Sequence, residues 1–525
     1  MKGQIQVIGC KSCTEIPQLI DMNKLIEKAS TMDLVVSTVL VGAVCDSKSI
    51  KQVVQEAKER EVDRVVVLAC PKKVVNPALL AAFKKAKVNE FLVEYVNIRD
   101  EVVLPHMDDP PRAQAKAETM MVAALQKVMG LKPLETLKEQ MRTRNVVVLG
   151  GGASGRKAAE TAAKTGAHTI IIEKGTKSFK APGVLMQNSV LLKSKGYGGN
   201  FVLTIRAGEK VEELQCAAIV VATGGGWTRL NGPLAKACKS ALPLYELDEQ
   251  IRAGKKMEGP IVIVDSPDPA GKSMQVRDYA WDESLELAIE LKRRSTDSDI
   301  TIVFQEMRAF GLSELRYKEA AELGVRFIRY DATGIPKIDP KEPNVVSVKD
   351  LAQGETIRLR FGTLAFASIP ANDDNEGIAD TLRIPMSPDG GIRHGSIQRG
   401  PVSTPRPGIF ICGSALFPKT KDIAEEEGMV AGELAGEFAS KGIIEYGGSV
   451  AEVTQEKCSA CLTCIRTCPY EAPFIGIANK AEIRTQACQG CGMCVGICPS
   501  KAIELRNCTD DIIMQETKTM LRGDF

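Results

Sequence analysis

Three apolar runs in the first seventy residues end at cysteine: QIQVIGC at Cys10, STVLVGAVC at Cys45 and DRVVVLAC at Cys70. Each reads as a strand. Segments between them, such as Ser49 to Arg60, carry valine and alanine at helical spacing. The alternation predicts an α/β unit whose strands place their carboxyl ends along one edge, where ligands gather. A second series begins at Arg144. In RNVVVLGGGASG an apolar strand, Val146 to Leu149, runs into glycines; the helix-prone RKAAETAAKTG follows, and HTIIIEKG gives another strand ending at Glu173. AAIVVATGGG (Ala217 to Gly226) and, much later, GIFICGS (Gly408 to Ser414) read as two more. Between these lies an excursion with its own alternation. It has strands at Ile261 to Val264, Ile300 to Phe304 and Val325 to Arg329, and helices at Trp281 to Arg294 and Ser313 to Leu323.

The first glycine turn changes the picture from pattern to chemistry. Gly150, Gly152 and Gly155 stand in G-x-G-x-x-G spacing between a strand and a helix, with Glu173 at the end of the next strand. Such glycines permit a tight turn and close backbone approach, the helix N-terminus receives a pyrophosphate, and the acid binds a ribose hydroxyl. A strand, a long α/β excursion and a returning strand to the same sheet is how flavoproteins with two dinucleotide sites are built. In such enzymes the excursion binds a nicotinamide cofactor. Here the turn after its first strand is DSPDPAGKS, without the glycine fingerprint, so a nucleotide-binding shape without its nucleotide is expected. Gly271-Lys272-Ser273 would end a P-loop, but Ser266 replaces the first glycine and two prolines stiffen the loop, which argues against ATP.

Composition bounds the rest. The 525 residues suggest roughly three or four domains. The 68 basic and 66 acidic residues leave a net charge of +2, which argues against nucleic acid or an acidic membrane as the main partner. No apolar run reaches the ~18 residues of a spanning helix. MKGQIQVIGC is too short and polar for a signal peptide. A cytoplasmic protein is expected, in which the sixteen cysteines are thiols available for metal or redox chemistry.

Eight of those cysteines form a repeat. CSACLTCIRTCPY begins at Cys458, and CQGCGMCVGICPS begins thirty positions later at Cys488. Both read C-x2-C-x2-C-x3-C-P. In two-cluster ferredoxins the fourth cysteine, before proline, ligates the other cluster. One 4Fe–4S cluster is therefore expected on Cys458, Cys461, Cys464 and Cys498, and the other on Cys488, Cys491, Cys494 and Cys468. A pair of zinc ribbons would place two C-x2-C knuckles across a longer gap and fits less well. Two clusters make this segment a wire for single electrons. At the other end of the chain, Cys10, Cys45 and Cys70 at strand ends, with Cys13 as a fourth, raise a third cluster as an expectation. The alternative is that they are small buried hydrophobes. Cys216, Cys238, Cys412 and Cys508 look isolated and read as packing residues. Only three histidines occur (His106, His168, His394), and no nucleophile–base pair is legible.

Over nearly its full length the chain resembles the A-type component of heterodisulfide reductase, an iron–sulfur flavoprotein of anaerobes. The carriers are DRVVVLACPKK, YVNIRDEVVLPH and QAKAETMMVAAL, then VVVLGGGASG, AAIVVATG, QEMRAFGLSELRYKEAAELGVRFIRY and GIFICGSALFPKTKDI, and the twin cysteine motif. The resemblance implies FAD at Gly150, Gly152, Ala153, Ser154, Gly155 and Glu173, with Thr223, Gly224, Gly413 and Ser414 completing the cofactor contacts. It implies electron flow between flavin and clusters, and in some relatives the flavin splits an electron pair. Either Lys419 or Lys421 is expected to face the ring. The ferredoxin module that full-length relatives insert after a stretch like GNFVLTI is absent, and so is a cysteine segment after the glycine loop. A shorter relative is therefore a second expectation: the A-type subunit of a quinone-interacting oxidoreductase or of class II benzoyl-CoA reductase. A relay scaffold with a structural flavin is the third. Partners are expected to be other redox subunits, resembling the B and C components of heterodisulfide reductase.

The expected fold is α/β, with a Rossmann-like, thioredoxin-reductase-like core for two dinucleotides. Its expected divisions are an N-terminal α/β domain (1–140), a first FAD-domain part (141–255), a second nucleotide-binding-like domain (256–340), a second FAD-domain part (341–448) and a two-cluster ferredoxin domain (449–525).

Overall fold

The computed structural model describes residues 3–522 apart from 13–14, 177–178, 225, 229–232, 258, 266–273, 332–333, 367–368, 372–373, 389 and 396–399. Two compact units are distinguishable, one from residues 1–139 with 445–525 and one from 140–444.

The first unit begins with a four-stranded parallel sheet in the order β2-β1-β3-β4. Its strands are β1 (Ile5–Cys10), β2 (Val35–Val41), β3 (Arg64–Ala69) and β4 (Val93–Asn97). Both central strands are buried on both faces, as their unbroken apolar runs require. Ile5, Val7, Val66 and Leu68 face helices α1 (Met22–Ser30) and α4 (Pro110–Gly130). Ile8, Val65 and Val67 face α2 (Ser47–Glu59) and α3 (Lys72–Lys85). Local chemistry sets the helix starts: Asp21 accepts the N–H groups of Asn23 and Lys24 at α1, and Asp46 those of Lys48 and Ser49 at α2. The buried Arg64 donates to the carbonyls of Val128 and Leu131 at the end of α4, satisfying groups the helix leaves open.

The second unit holds two parallel sheets. In the first, β5 (Asn145–Leu149), β6 (His168–Ile172), β7 (Val184–Met186), β11 (Ala218–Val221) and β17 (Ile409–Ile411) take the order β17-β11-β5-β6-β7. Helix α5 (Ala153–Lys164) follows β5 directly. An antiparallel sheet of β8 (Ser189–Tyr197), β9 (Asn200–Ala207) and β10 (Lys210–Cys216) runs straight into β11, with no module inserted. The excursion forms the other sheet, β12-β16-β13-β14-β15. It is built from β12 (Leu242–Pro243), β13 (Ile261–Val264), β14 (Ile300–Phe304), β15 (Arg326–Arg329) and β16 (Thr363–Phe366). Helices α6 (Leu244–Arg252), α7 (Met274–Arg294) and α8 (Leu312–Glu322) accompany it, and Trp281 of α7 is fully buried in its core.

The chain then returns to the first sheet through β17 and ends this unit in helix α10 (Lys421–Ser440); a short helix, α9 (Asn375–Leu382), precedes β17. Gly428, Gly432 and Gly436 form a stripe along α10. A Cβ at Gly432 would stand 2.2 Å from the carbonyl oxygen of Ala158, and one at Gly428 2.3 Å from that of Ser154, so α5 and α10 touch backbone to backbone. The core of a two-dinucleotide flavoprotein was the expectation from pattern, and the sheet orders have that architecture.

The C-terminal part of the first unit has a repeat in its backbone as well as its sequence. Ribbon β18 (Ala451–Val453) with β21 (Ile503–Leu505) is matched by β19 (Pro473–Ile475) with β20 (Ala481–Ile483). Helix α11 (Thr463–Thr467) is matched by α12 (Met493–Ile497). Left-handed residues recur at the same offset: Ala460 and Gly490, Leu462 and Gly492, Glu471 and Lys501. The last helix, α13 (Asp510–Leu521), lies along α4. Ile512 packs on the N-terminal core, Lys127 bridges Glu94 and Glu516, and Asn507 and Lys132 exchange two hydrogen bonds of 2.8 Å.

Candidate functional site

A cavity of about 1110 Å³ opens in the second unit, large for a small-molecule site. At one end is the turn between β5 and α5. The three glycines of its fingerprint do different work. At Gly150 (φ +107°) a Cβ would lie 2.3 Å from the Ala222 carbonyl oxygen, and at Gly155 2.0 Å from the Gly150 carbonyl oxygen. Gly152, the residue before α5, has ordinary extended angles and nothing within 4 Å of a built Cβ. Its missing side chain leaves room for a ligand, not for protein. Ala153 and Ser154 open α5 behind it and line the cavity.

Glu173 is placed beside this turn. Its carboxylate accepts the Gly151 N–H at 2.6 Å and the Gly175 N–H at 2.8 Å, so it braces the loop while lining the cavity. Thr223 and Gly224, at the end of β11, line the wall, and the Thr223 hydroxyl donates to Asn375 Oδ1 at 2.9 Å. Asn375, fully buried, donates in turn to the carbonyl of Ala415. It thereby ties the Thr223 turn to the Gly413-Ser414 turn after β17, a brace with no motif to announce it in sequence.

Another part of the lining is formed by Ser414 and by Lys419, Thr420, Lys421 and Ala424 at the start of α10. The two lysines part company here. Lys421 is exposed and pairs with Glu425 at 3.7 Å. Lys419 has a side chain 2% exposed, both oxygens of Glu427 within 2.5 Å of its Nζ, and the Phe417 ring 3.8 Å from the ammonium. Burial pulls the Lys419 pKa down, against the opposing pull of Glu427. Glu427 Oε2 also accepts the Gly413 N–H at 2.9 Å. Thr420, 4% exposed, precedes α10 with a buried hydroxyl that has no hydrogen-bond partner among the described residues. An orphan hydroxyl at an uncapped helix N-terminus fits a ligand oxygen or nitrogen, as the open Gly152 cradle fits a pyrophosphate. The residues present therefore fit a flavin dinucleotide. The remaining wall, from α6 and α7, was not foreseen: Asp248, Glu249, Glu283, Glu286 and Glu290 line it.

The C-terminal cysteines group as the repeat demands. Cys468, Cys488, Cys491 and Cys494 line one small cavity, and Cys458, Cys461, Cys464 and Cys498 line another. Among the described residues no three His, Cys, Asp or Glu side chains gather closely enough for a single metal ion. A cubane binds each cysteine at a separate iron, so its four ligands stand farther apart than those of one zinc. Burial pushes the Cys494 thiol up to about 11, while a hydrogen bond from Thr463 lowers Cys461. At the N-terminus, Cys10 ends β1 and is buried, its thiol 3.8 Å from the Gly42 carbonyl oxygen. Cys70 is buried just past β3. Cys45 is not at a strand end, because β2 stops at Val41; it lies exposed in the following turn. Cys13 and the turn holding Ser266 and Gly271-Lys272-Ser273 lie outside the described residues.

The family described as "4Fe-4S dicluster domain" matches residues 451–499, which contain all eight of these cysteines. The chain is 24% identical over 597 residues to the second of two A-type iron-sulfur components of CoB–CoM heterodisulfide reductase in Methanopyrus kandleri, covering 89% of this chain and 90% of that protein. It is 24% identical over 601 residues to the corresponding A-type component of Methanocaldococcus jannaschii, covering 90% and 91%. Both alignments are longer than the 525 residues of this chain, so these relatives carry segments that it lacks. Among solved structures, thioredoxin reductase of T. acidophilum matches with a TM-score of 0.40 and 15% identity, over 57% of this chain and 98% of that one. That of Lactococcus lactis gives 0.37 and 18%, over 57% and 99%.

Fold and site together define an iron–sulfur flavoprotein oxidoreductase. Within that class the chain is similar, over about 90% of its length, to the A-type components of heterodisulfide reductase. Among the described residues, no helix is long and apolar enough to cross a membrane.

Proposed function

We propose that the chain is the electron-transfer subunit of an anaerobic oxidoreductase complex. Its FAD lies in the cavity between Gly152 and Thr420, and its two 4Fe–4S clusters are held by the C-terminal cysteines in the crossed pairing given above. The single observation that carries the reading is the cavity itself, open at both helix N-termini, in a chain that also carries two cysteine quartets. Bound flavin supplies the exchange between one two-electron step and single-electron steps. The protein's part is to receive the pyrophosphate on the N-terminus of α5, brace the adenosine end through Glu173, and present Ser414, Lys419 and Thr420 to the other end. Cys10, Cys13, Cys45 and Cys70 are carried forward as ligands of a third cluster. The relatives' names describe them as subunits, and partners of this chain are proposed to be further redox subunits of the B and C kind.

The test is cofactor analysis of anaerobically isolated protein. One noncovalent FAD is expected, with about eight irons from the C-terminal segment and about twelve in all if the N-terminal cysteines ligate. A full-length count near eight that Cys70→Ala leaves unchanged would return those cysteines to packing, and absence of flavin would remove the central claim.

A further inference from the structure

The ion pair at the α10 end of the cavity is a buried device without an assigned role. With the pyrophosphate on the α5 N-terminus and the adenosine beside Glu173, the wall lined by Ser414, Lys419 and Thr420 is the part of the cavity we assign to the ring of the proposed flavin. A lysine with a 2% exposed side chain is costly to keep charged unless it is paired. Here the pairing is complete: Glu427 meets Lys419 with both oxygens and also accepts the Gly413 N–H, which fixes the carboxylate from the β17 side. Phe417 closes another face of the ammonium. The titratable groups acting on Lys419 are Glu427 from α10 and Cys412 from the end of β17; Lys421 is exposed and engaged with Glu425.

We propose that Glu427 is a positioning residue that holds the Lys419 ammonium, charged, at the ring end of the cavity and thereby sets the flavin's reduction potential. The inference rests on the flavin reading above. Its physical content is a charge balance. Reduction adds negative charge to the ring, so a nearby cation favours the reduced form and a nearby anion opposes it. The intact pair is neutral overall. Lys419→Met leaves a buried carboxylate unbalanced, and Glu427→Gln leaves a buried ammonium unbalanced until it gives up its proton, which burial makes easier.

The experiment uses the full-length, flavin-loaded protein. Flavin per protein is measured first, then the flavin midpoint potential by spectroelectrochemical titration from about pH 6 to about pH 9. Lys419→Met is expected to lower the potential, and Lys419→Arg to restore it. Glu427→Gln is expected to raise it at the acid end, and that rise to fade toward the alkaline end as the lone amine gives up its proton. The double variant, which lacks both the ammonium at the ring and the opposing carboxylate, is expected to lie between the parent and Lys419→Met, and Lys421→Met to move the potential less than Lys419→Met. A flavin-loaded Glu427→Gln that tracks the parent throughout would overturn the proposal, as would Lys421→Met moving the potential as far as Lys419→Met. If Glu427→Gln does not fold, Glu427→Asp replaces it: the shortened carboxylate must also shift the potential, and no shift overturns the proposal. A parent protein without flavin would sink the flavin reading itself, whereas retained flavin with unmoved potentials sinks this inference alone.

Discussion

At the scale of single residues, the glycine turn separates structural from ligand-directed positions. Gly150 and Gly155 are glycines because protein backbone stands where their Cβ would be; Gly152 is a glycine although nothing among the described residues requires it. Gly152→Val should therefore fold with nearly the parent melting temperature and lose flavin. Gly155→Val should lose the fold, since a contact of 2.0 Å with backbone cannot be relieved by moving a flexible side chain. Flavin absorbance per protein, read beside thermal unfolding, checks both; normal flavin in a folded Gly152→Val protein contradicts the site. The glycine positions and Glu173 were legible in sequence because their spacing to the strand is fixed by the turn. Thr420, Asn375 and Glu427 were not. Asn375 reaches Thr223 and Ala415 and Glu427 reaches Gly413, while only burial marks Thr420, and nothing local distinguishes the three from surface polar residues. The choice between Lys419 and Lys421 was likewise open, because only burial separates two lysines two positions apart.

At the scale of elements, strands were read within a residue or two wherever apolar runs were unbroken. β2 was the exception: the run STVLVGAVC continues past the last paired residue, and apolar character alone does not show where pairing stops. The glycine stripe of α10 passed unnoticed because glycine lowers helix propensity and looks like weakness. In the fold it is the reason α10 lies against α5, which brings Glu427 and Lys419 to the cavity. Gly432→Ala is expected to cost about 1–3 kcal/mol by overpacking against the Ala158 carbonyl, measured as a shift in denaturant midpoint for the flavin unit. An unchanged midpoint would mean that the helices part without penalty. The ferredoxin segment is held differently. Its core consists of Ala451, Ala481 and Ile503 with Cys464 and Cys494, two of the proposed cluster ligands. So small an apolar core leaves the clusters to supply folding energy. Stripping iron with a chelator should increase amide exchange across residues 451–505 while flavin stays bound. Exchange as slow as in the loaded protein would show that the segment folds without metal.

At the scale of the whole molecule, the question is how electrons enter. The second sheet has the shape that binds a nicotinamide dinucleotide in related architectures, yet two features oppose it. In sequence, Pro267 and Pro269 stand in the segment that follows Val264, where a pyrophosphate needs glycine backbone; each proline removes an N–H donor and fixes φ. In the structure, the wall that α6 and α7 turn toward the flavin cavity is acidic. Asp248 is paired with Arg252 at 2.8 Å and Glu290 with Arg294 at 2.6 Å, and burial raises the Glu286 pKa; Glu249 and Glu283 line the same face. A nicotinamide dinucleotide laid along this wall would bring its phosphates against carboxylates, whereas the pyrophosphate of the proposed flavin is received at the α5 N-terminus. Electrons should therefore arrive singly, through clusters, and not as hydride. Anaerobic mixing with NADH or NADPH should leave the flavin spectrum unchanged, whereas a low-potential one-electron donor should bleach clusters and flavin together. Rapid, stoichiometric bleaching by NADH without any partner protein would refute this, and would place a working nicotinamide site in the turn after β13 despite its prolines.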